Sequence, residues 1–132
     1  MQAEQLHTKR NIRAVIIDDE RSGRLVLQTL IKEYCNDVEV VAVEDSAESG
    51  KKAISTLHPD IVFLDIEMPY QTGFEMLESF ERRDFAVVFV TAYEYYTALV
   101  TPYSPLGLLL KPFNLTQLRK TIEKYRVEST AG

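Results

Sequence analysis

The sequence predicts an α/β fold, a doubly wound parallel sheet with helices on both faces. Two patterns lead to it. Short apolar runs rich in β-branched residues recur along the chain, as they do in strands buried on both sides. Between them lie stretches with apolar residues at helical spacing, so strands and helices alternate. With 132 residues, 45% of them hydrophobic, the chain can bury such a core without disulfides or a structural metal.

The elements follow in order. Residues 1–11 are polar and read as a flexible tail. Ala14-Val15-Ile16-Ile17 is the first strand. Leu27, Leu30, Ile31 and Tyr34, at i, i+3, i+4 and i+7, mark the first helix. Residues 38–43 read as the second strand, with Val38, Val40 and Ala42 on one face. Ala47, Gly50, Ile54 and Leu57 mark the second helix, capped by Asp45 or Ser46 and ended by Pro59. Ile61-Val62-Phe63-Leu64 is the third strand. Phe74, Leu77 and Phe80 mark a third helix, entered through Gly73, and residues 86–90 make the fourth strand.

Residues 93–100 are expected to form a short fourth helix, stopped by Pro102. Leu108-Leu109-Leu110 is the fifth strand. The last helix begins at Asn114, with Gln117 three residues on as an Asn-initiated capping box. Leu115, Leu118, Ile122 and Tyr125 form its buried stripe, and residues 127–132 are expected to fray or to begin a linker. The folded domain is then residues 12–126. Five βα units joined by right-handed crossovers give the flavodoxin-like (βα)5 sheet, strand order 2-1-3-4-5.

Bulk properties exclude several classes. The net charge of −5 argues against a nucleic-acid surface on this chain. A single cysteine, Cys35, rules out an intramolecular disulfide and reads as a packing residue. No apolar run approaches the ~18 residues of a membrane span. The polar start of the chain has no apolar signal-peptide region, so a cytoplasmic protein is expected. His7 and His58 read as solvent or turn residues.

The polar residues at the strand ends carry the chemistry. Asp18 and Asp19 follow strand 1, Asp65 follows strand 3, Thr91 follows strand 4 and Lys111 follows strand 5. In the 2-1-3-4-5 order these strands are neighbours, and their carboxyl ends are where such sheets bind ligands. Three converging carboxylates repel one another and need a cation. An oxygen-only set suits Mg²⁺. A carboxylate there can act as a nucleophile toward phosphorus, with Lys111 and the Thr91 hydroxyl placed for phosphoryl oxygens. Glu20 reads only as a first-turn acid that suits the helix dipole.

Taken together, Ile16-Ile17-Asp18-Asp19-Glu20, Ile61-Val62-Phe63-Leu64-Asp65-Ile66-Glu67-Met68-Pro69, Gly73, Val90-Thr91-Ala92 and Leu110-Lys111-Pro112-Phe113 resemble response-regulator receiver domains. The resemblance covers nearly the whole chain. Thr91-Ala92-Tyr93 and Leu109-Leu110-Lys111-Pro112-Phe113 look most like receivers attached to LytTR-type (LytR/AlgR-like) DNA-binding domains. The resemblance implies that Asp65 takes a phosphoryl group from a sensor histidine kinase. It implies Mg²⁺ on Asp19, on Asp18 mostly through water, on Asp65 and on the backbone carbonyl of Glu67. Thr91 and Lys111 would bind the phosphoryl oxygens, and small Ala92 would leave their path open. The Lys111–Pro112 peptide is expected to be cis. Glu67 and Tyr93 would flank the route of the attacking water and tune dephosphorylation.

The resemblance implies a regulatory phosphoacceptor domain that assists its own phosphorylation and dephosphorylation, not an enzyme. Its output would be homodimerisation or control of an attached domain, through which alone DNA is reached; no membrane is involved. One departure bears on switching. Receivers usually carry Tyr or Phe three residues before the lysine; here Leu108 stands there, preceded by Gly107, with Pro105 where Ala is common. Tyr93, Tyr95, Tyr96 and Tyr103 are the candidate substitutes. The departure leaves a pseudo-receiver, or a stand-alone interaction and phosphotransfer module, as the alternative. A haloacid-dehalogenase-like phosphatase needs D-x-D after strand 1, and Asp18-Asp19-Glu20-Arg21 does not supply it.

Overall fold

The computed structural model describes residues 11–131. The expected tail lies, but for Asn11, outside the described residues, as does His7. Five strands, β1 (Ile12–Ile17), β2 (Val38–Glu44), β3 (Ile61–Asp65), β4 (Ala86–Thr91) and β5 (Gly107–Leu110), form one sheet in the order β2-β1-β3-β4-β5. All the pairings are parallel. The expected flavodoxin-like topology is the one observed. Ile61, Val62, Phe63 and Leu64 are all buried, because both faces of the sheet are covered.

Four α-helices supply the cover: α1 (Arg21–Tyr34), α2 (Ala47–Leu57), α3 (Gly73–Glu78) and α4 (Leu115–Ala131). On one face Leu27 and Ile31 of α1 and Leu118 and Ile122 of α4 pack against Ile16, Phe63 and Val90. On the other, Ala53 and Ile54 of α2 and Met76 and Leu77 of α3 pack against Ile17, Leu64 and Phe89. Cys35 is a buried member of the first cluster, and burial pushes its thiol up. Tyr34 ends α1 half exposed, with the Arg119 guanidinium 5.7 Å from its ring centre.

The caps explain the helix starts. Ser46, rather than Asp45, caps α2 by accepting from the Ser49 N–H at 3.1 Å. Pro59 follows His58, which closes α2 in the left-handed region at φ 50°. Asn114 and Gln117 form the expected reciprocal cap of α4: Gln117 N donates to Asn114 Oδ1 at 2.9 Å, and Asn114 N to Gln117 Oε1 at 3.2 Å. Thr72 and Glu75 cap α3 in the same way.

Three expectations change. The predicted fourth helix is instead a pair of 3-10 turns, Glu94–Ala98 and Thr101–Tyr103. Aromatic and β-branched residues fill the stretch, the N-cap residue Tyr93 supplies no side-chain cap, and Pro102 allows no more than about two turns. In β2 the register slips between Ala14 and Val15, which pair with Val40 and Ala42. Val41 is the extra residue, so Ala42 joins the second core cluster and Val43 packs against the first. The expected single face of Val38, Val40 and Ala42 is therefore broken. Finally, α4 runs on to Ala131 through residues expected to fray. Arg126 fastens this end: its Nε and Nη2 donate to the Asp37 carboxylate at 2.7 and 2.6 Å.

Candidate functional site

The parallel order brings the carboxyl ends of β1, β3, β4 and β5 side by side. Asp18 follows β1 and is 4% exposed; Asp65 ends β3 at 5%, and Thr91 ends β4 at 1%. Asp19 is exposed in the loop after Asp18, and Lys111 follows β5, half-buried. A pocket of about 150 Å³ opens there, lined by Asp19, Asp65, Glu67, Thr91, Ala92, Tyr93 and Lys111 together with Glu20.

Asp18 is anchored from two sides. Its Oδ1 accepts the Glu20 N–H at 2.9 Å, and its carbonyl accepts from the Arg24 guanidinium at 2.8 Å. Its Oδ2 lies 2.8 Å from the Lys111 ammonium, which also reaches Glu20 Oε1 at 3.0 Å and Asp65 Oδ2 at 3.8 Å. Gly23 gives this pair its room, since a Cβ there would stand 2.5 Å from Asp18 Oδ2 and 3.2 Å from Lys111 Nζ. Gly73 plays the same part behind Asp65: a Cβ would stand 2.5 Å from the Asp65 carbonyl oxygen. The first turn of α3 therefore packs closely against the end of β3.

The electrostatics follow from the crowding. Burial pushes the Asp65 carboxyl up to about 8; the Asp18 charge adds to the rise, and Lys111 offsets part of it. Burial pulls the Lys111 ammonium down, but Asp18, Glu20 and Asp65 outweigh it and leave it raised. Oxygen atoms of Asp18, Asp19 and Asp65 lie within 4.8 Å of one another, an all-carboxylate set of the kind a hard divalent cation takes. The residues present fit Mg²⁺. The Thr91 hydroxyl accepts the Tyr93 N–H at 3.2 Å, and the Thr91 carbonyl accepts the Lys111 N–H at 2.7 Å. The Lys111–Pro112 peptide is cis.

All the residues singled out at the strand ends thus meet in one place. Three contributors were missed in the sequence. Glu20, set aside as a dipole-complementing acid, holds Lys111; its place next to Asp19 was the available signal. Gly23 was not singled out, because a helical glycine looks the same whether or not a carboxylate needs its space. The third is the fixing of the Glu67 carboxylate: Glu67 Oε2 accepts from the Tyr96 hydroxyl at 2.6 Å and the Tyr95 hydroxyl at 3.1 Å. Leu108 is half-buried against the second core cluster. Beside that cluster the Tyr103 ring stacks on Phe74 with centres 4.6 Å apart, and its hydroxyl donates to Glu78.

The chain is similar to known proteins over most of its length. A response regulatory protein of Vibrio cholerae, uncharacterized, is 39% identical over 112 residues, 84% of this chain and 47% of that protein. The transcriptional regulatory protein BtsR of Escherichia coli K12 is 35% identical over 119 residues, covering 89% of this chain and 49% of its own. The sensory transduction protein LytT of Bacillus cereus is 32% identical over 117 residues, covering 87% and 47%. The chain spans about half the length of these curated relatives. Among solved structures, the response regulatory domain of mrkE from Klebsiella pneumoniae superposes with a TM-score of 0.81 at 20% identity, over 91% of this chain and 98% of that one. A DNA-binding response regulator of the LuxR family from Staphylococcus aureus gives 0.76 at 29%, over 86% and 98%. Residues 14–123 match the response regulator receiver domain, and the chain belongs to that family.

Proposed function

We propose that this receiver takes a phosphoryl group onto the Asp65 carboxylate and thereby switches a protein–protein interface. The observation that carries the reading is the meeting of Asp65 with Asp18, Asp19, Thr91 and Lys111 around one small pocket. The donor is the phosphohistidine of a sensor histidine kinase. An Asp65 oxygen forms the new O–P bond as the N–P bond breaks, and the electron pair returns to the imidazole nitrogen. Lys111 and the Thr91 hydroxyl then meet phosphoryl oxygens, while small Ala92 leaves them room.

Mg²⁺ would be held by Asp18, Asp19, Asp65 and the Glu67 backbone carbonyl, and when bound it would neutralise charge on the transferring group. The Glu67 side chain and Tyr93 line the pocket mouth and tune access of the water that ends the signal. The domain regulates; it assists its own phosphorylation and dephosphorylation but turns over no separate substrate. Residues 12–126 are the receiver, and 127–132 are its C-terminal tail or the start of a linker to an output domain. Relatives about twice as long, one of them a transcriptional regulator, support an attached output domain. The resemblance of Thr91-Ala92-Tyr93 and Leu109-Leu110-Lys111-Pro112-Phe113 supports its being a LytTR-type DNA-binding domain, reached through homodimerisation or release. The protein would work in the cytoplasm, and no described helix is long and apolar enough to cross a membrane.

The test is binding of beryllofluoride, a phosphoryl mimic, followed by ¹⁹F NMR. A Mg²⁺-dependent bound signal, lost in Asp65→Asn, is expected. Absence of that signal with Mg²⁺ present supports the second reading, a pseudo-receiver, which Leu108 at the usual aromatic position favours.

A further inference from the structure

The two rims of the pocket are tied together by phenol–carboxylate hydrogen bonds. Glu67 stands two residues beyond Asp65 on the β3 rim, and its N–H donates to Asp65 Oδ1 at 3.3 Å. Tyr95 and Tyr96 stand on the β4 rim, and both hydroxyls donate to Glu67 Oε2. The hydrogen bond to the Glu67 carboxylate is also the main reason the Tyr96 hydroxyl is pushed far above its ordinary value.

Apart from these bonds the segment is held mainly by the Tyr96 ring, which packs edge-on to Phe74 with centres 5.8 Å apart. The first 3-10 turn buries no residue, and Tyr95 is 61% exposed. Its rings pack on one another: Tyr93 lies against Tyr95 with centres 5.6 Å apart and against Tyr96 at 6.5 Å, and Tyr95 against Tyr96 at 4.5 Å. At its start, the Tyr93 N–H rests on the Thr91 hydroxyl. Turning that hydroxyl toward a group on Asp65 weakens the anchor under Tyr93. A phosphoryl dianion on Asp65 also adds negative charge beside Glu67. The added charge repels the Glu67 carboxylate, and the weakened anchor frees the Tyr93 end, so each effect moves one side of the same two hydrogen bonds. Leu108 cannot supply a swinging ring of its own.

We propose that Tyr95 and Tyr96 form a latch on Glu67 that holds the 93–98 segment in the unphosphorylated receiver and opens when Asp65 is modified. The proposal rests on Asp65 being the phosphoacceptor. A latch closed in only one state opposes the other state by its own free energy. Removing a tyrosine hydroxyl therefore favours the modified state. The ring stays in Tyr96→Phe, so packing is kept.

The experiment is a beryllofluoride titration with saturating Mg²⁺ on wild type, Tyr95→Phe, Tyr96→Phe, Glu67→Ala and the Tyr96→Phe/Glu67→Ala double variant. Tyr96→Phe is expected to bind about three- to tenfold more tightly than wild type, the range for a hydrogen bond to a charged, partly exposed group. Tyr95→Phe, with the longer bond, gains less. In the Glu67→Ala background Tyr96→Phe adds nothing, which a purely structural role for the hydroxyl would not produce. Unchanged or weaker binding by Tyr96→Phe, or an equal gain without Glu67, overturns the latch while leaving Asp65 as acceptor. A wild type that binds no beryllofluoride overturns the Asp65 reading, and the latch with it.

Discussion

Lys111 Nζ lies 2.8 Å from Asp18 Oδ2 across the carboxyl ends of β1 and β5, two strands separated in the sheet by β3 and β4. The lysine spans the site and serves as the internal counter-charge of a pocket with three carboxylates. Lys111→Met removes that charge while keeping much of the stem. The buried Asp18 carboxylate is then left without its partner, which should destabilise the metal-free protein by about 2–4 kcal/mol. Added Mg²⁺ should recover part of the loss. Urea midpoints with and without Mg²⁺ check both parts; an equal loss in each would assign Lys111 a packing role only.

Asp65 makes the opposite prediction for stability. Its carboxyl rises from the ordinary 3.8 to about 8 on folding. A group raised in this way binds its proton more tightly in the native state. Its stabilising contribution is full below the unfolded value and is lost as pH rises through the folded value. The metal-free protein should therefore lose stability from this group between about pH 4 and pH 8. Asp65→Asn abolishes the charge and should raise metal-free stability at pH 8 by ~1–3 kcal/mol, with little gain at pH 5. Unfolding curves at the two pH values read the difference.

Gly23 couples α1 to the site. Alanine in a helix is favoured over glycine by ~1 kcal/mol, so Gly23→Ala suits α1 as a helix. The new Cβ, however, would meet Asp18 Oδ2 at 2.5 Å and force that carboxylate off Lys111. Metal-free stability should fall, with the ~1 kcal/mol helix gain offsetting only part of the broken ion pair, and Mg²⁺ affinity should fall severalfold. Calorimetric Mg²⁺ titration beside a melting curve reads both; Mg²⁺ affinity equal to wild type would mean Asp18 has another place to go.

The end of α4 depends on a distant residue. Arg126 reaches Asp37, and Glu123 at 2.8 Å, so the last turns are tied to the loop between α1 and β2. Arg126→Ala should speed amide exchange at residues 127–131 without changing that of β1 or β3. Uniform acceleration would instead indicate loss of global stability.

How far the fold could be read in advance follows from what each element depends on. β3 and β4 are fully covered, so Ile61-Val62-Phe63-Leu64 and Val87-Val88-Phe89-Val90 appear as unbroken apolar runs. The acidic, hydroxyl and ammonium residues directly after such runs mark the site, because a parallel sheet aligns its strand ends. The capping pair Asn114 and Gln117 is local and equally visible. The bulge at Val41 is not, since Val40 to Val43 are all apolar and either register buries them. Residues 93–103 also defeat local reading: their conformation is set by Thr91, Glu67 and Phe74, partners outside the segment. Glu20 and Gly23 act through Lys111 and Asp18, and only the closed sheet brings β5 to them.

The most direct test is to phosphorylate the protein with acetyl phosphate and map the product by intact and peptide mass spectrometry. One phosphoryl group on Asp65, formed only with Mg²⁺ and absent from Asp65→Asn, is the predicted result. No adduct with Mg²⁺ present, or an adduct that persists in Asp65→Asn, would contradict the account.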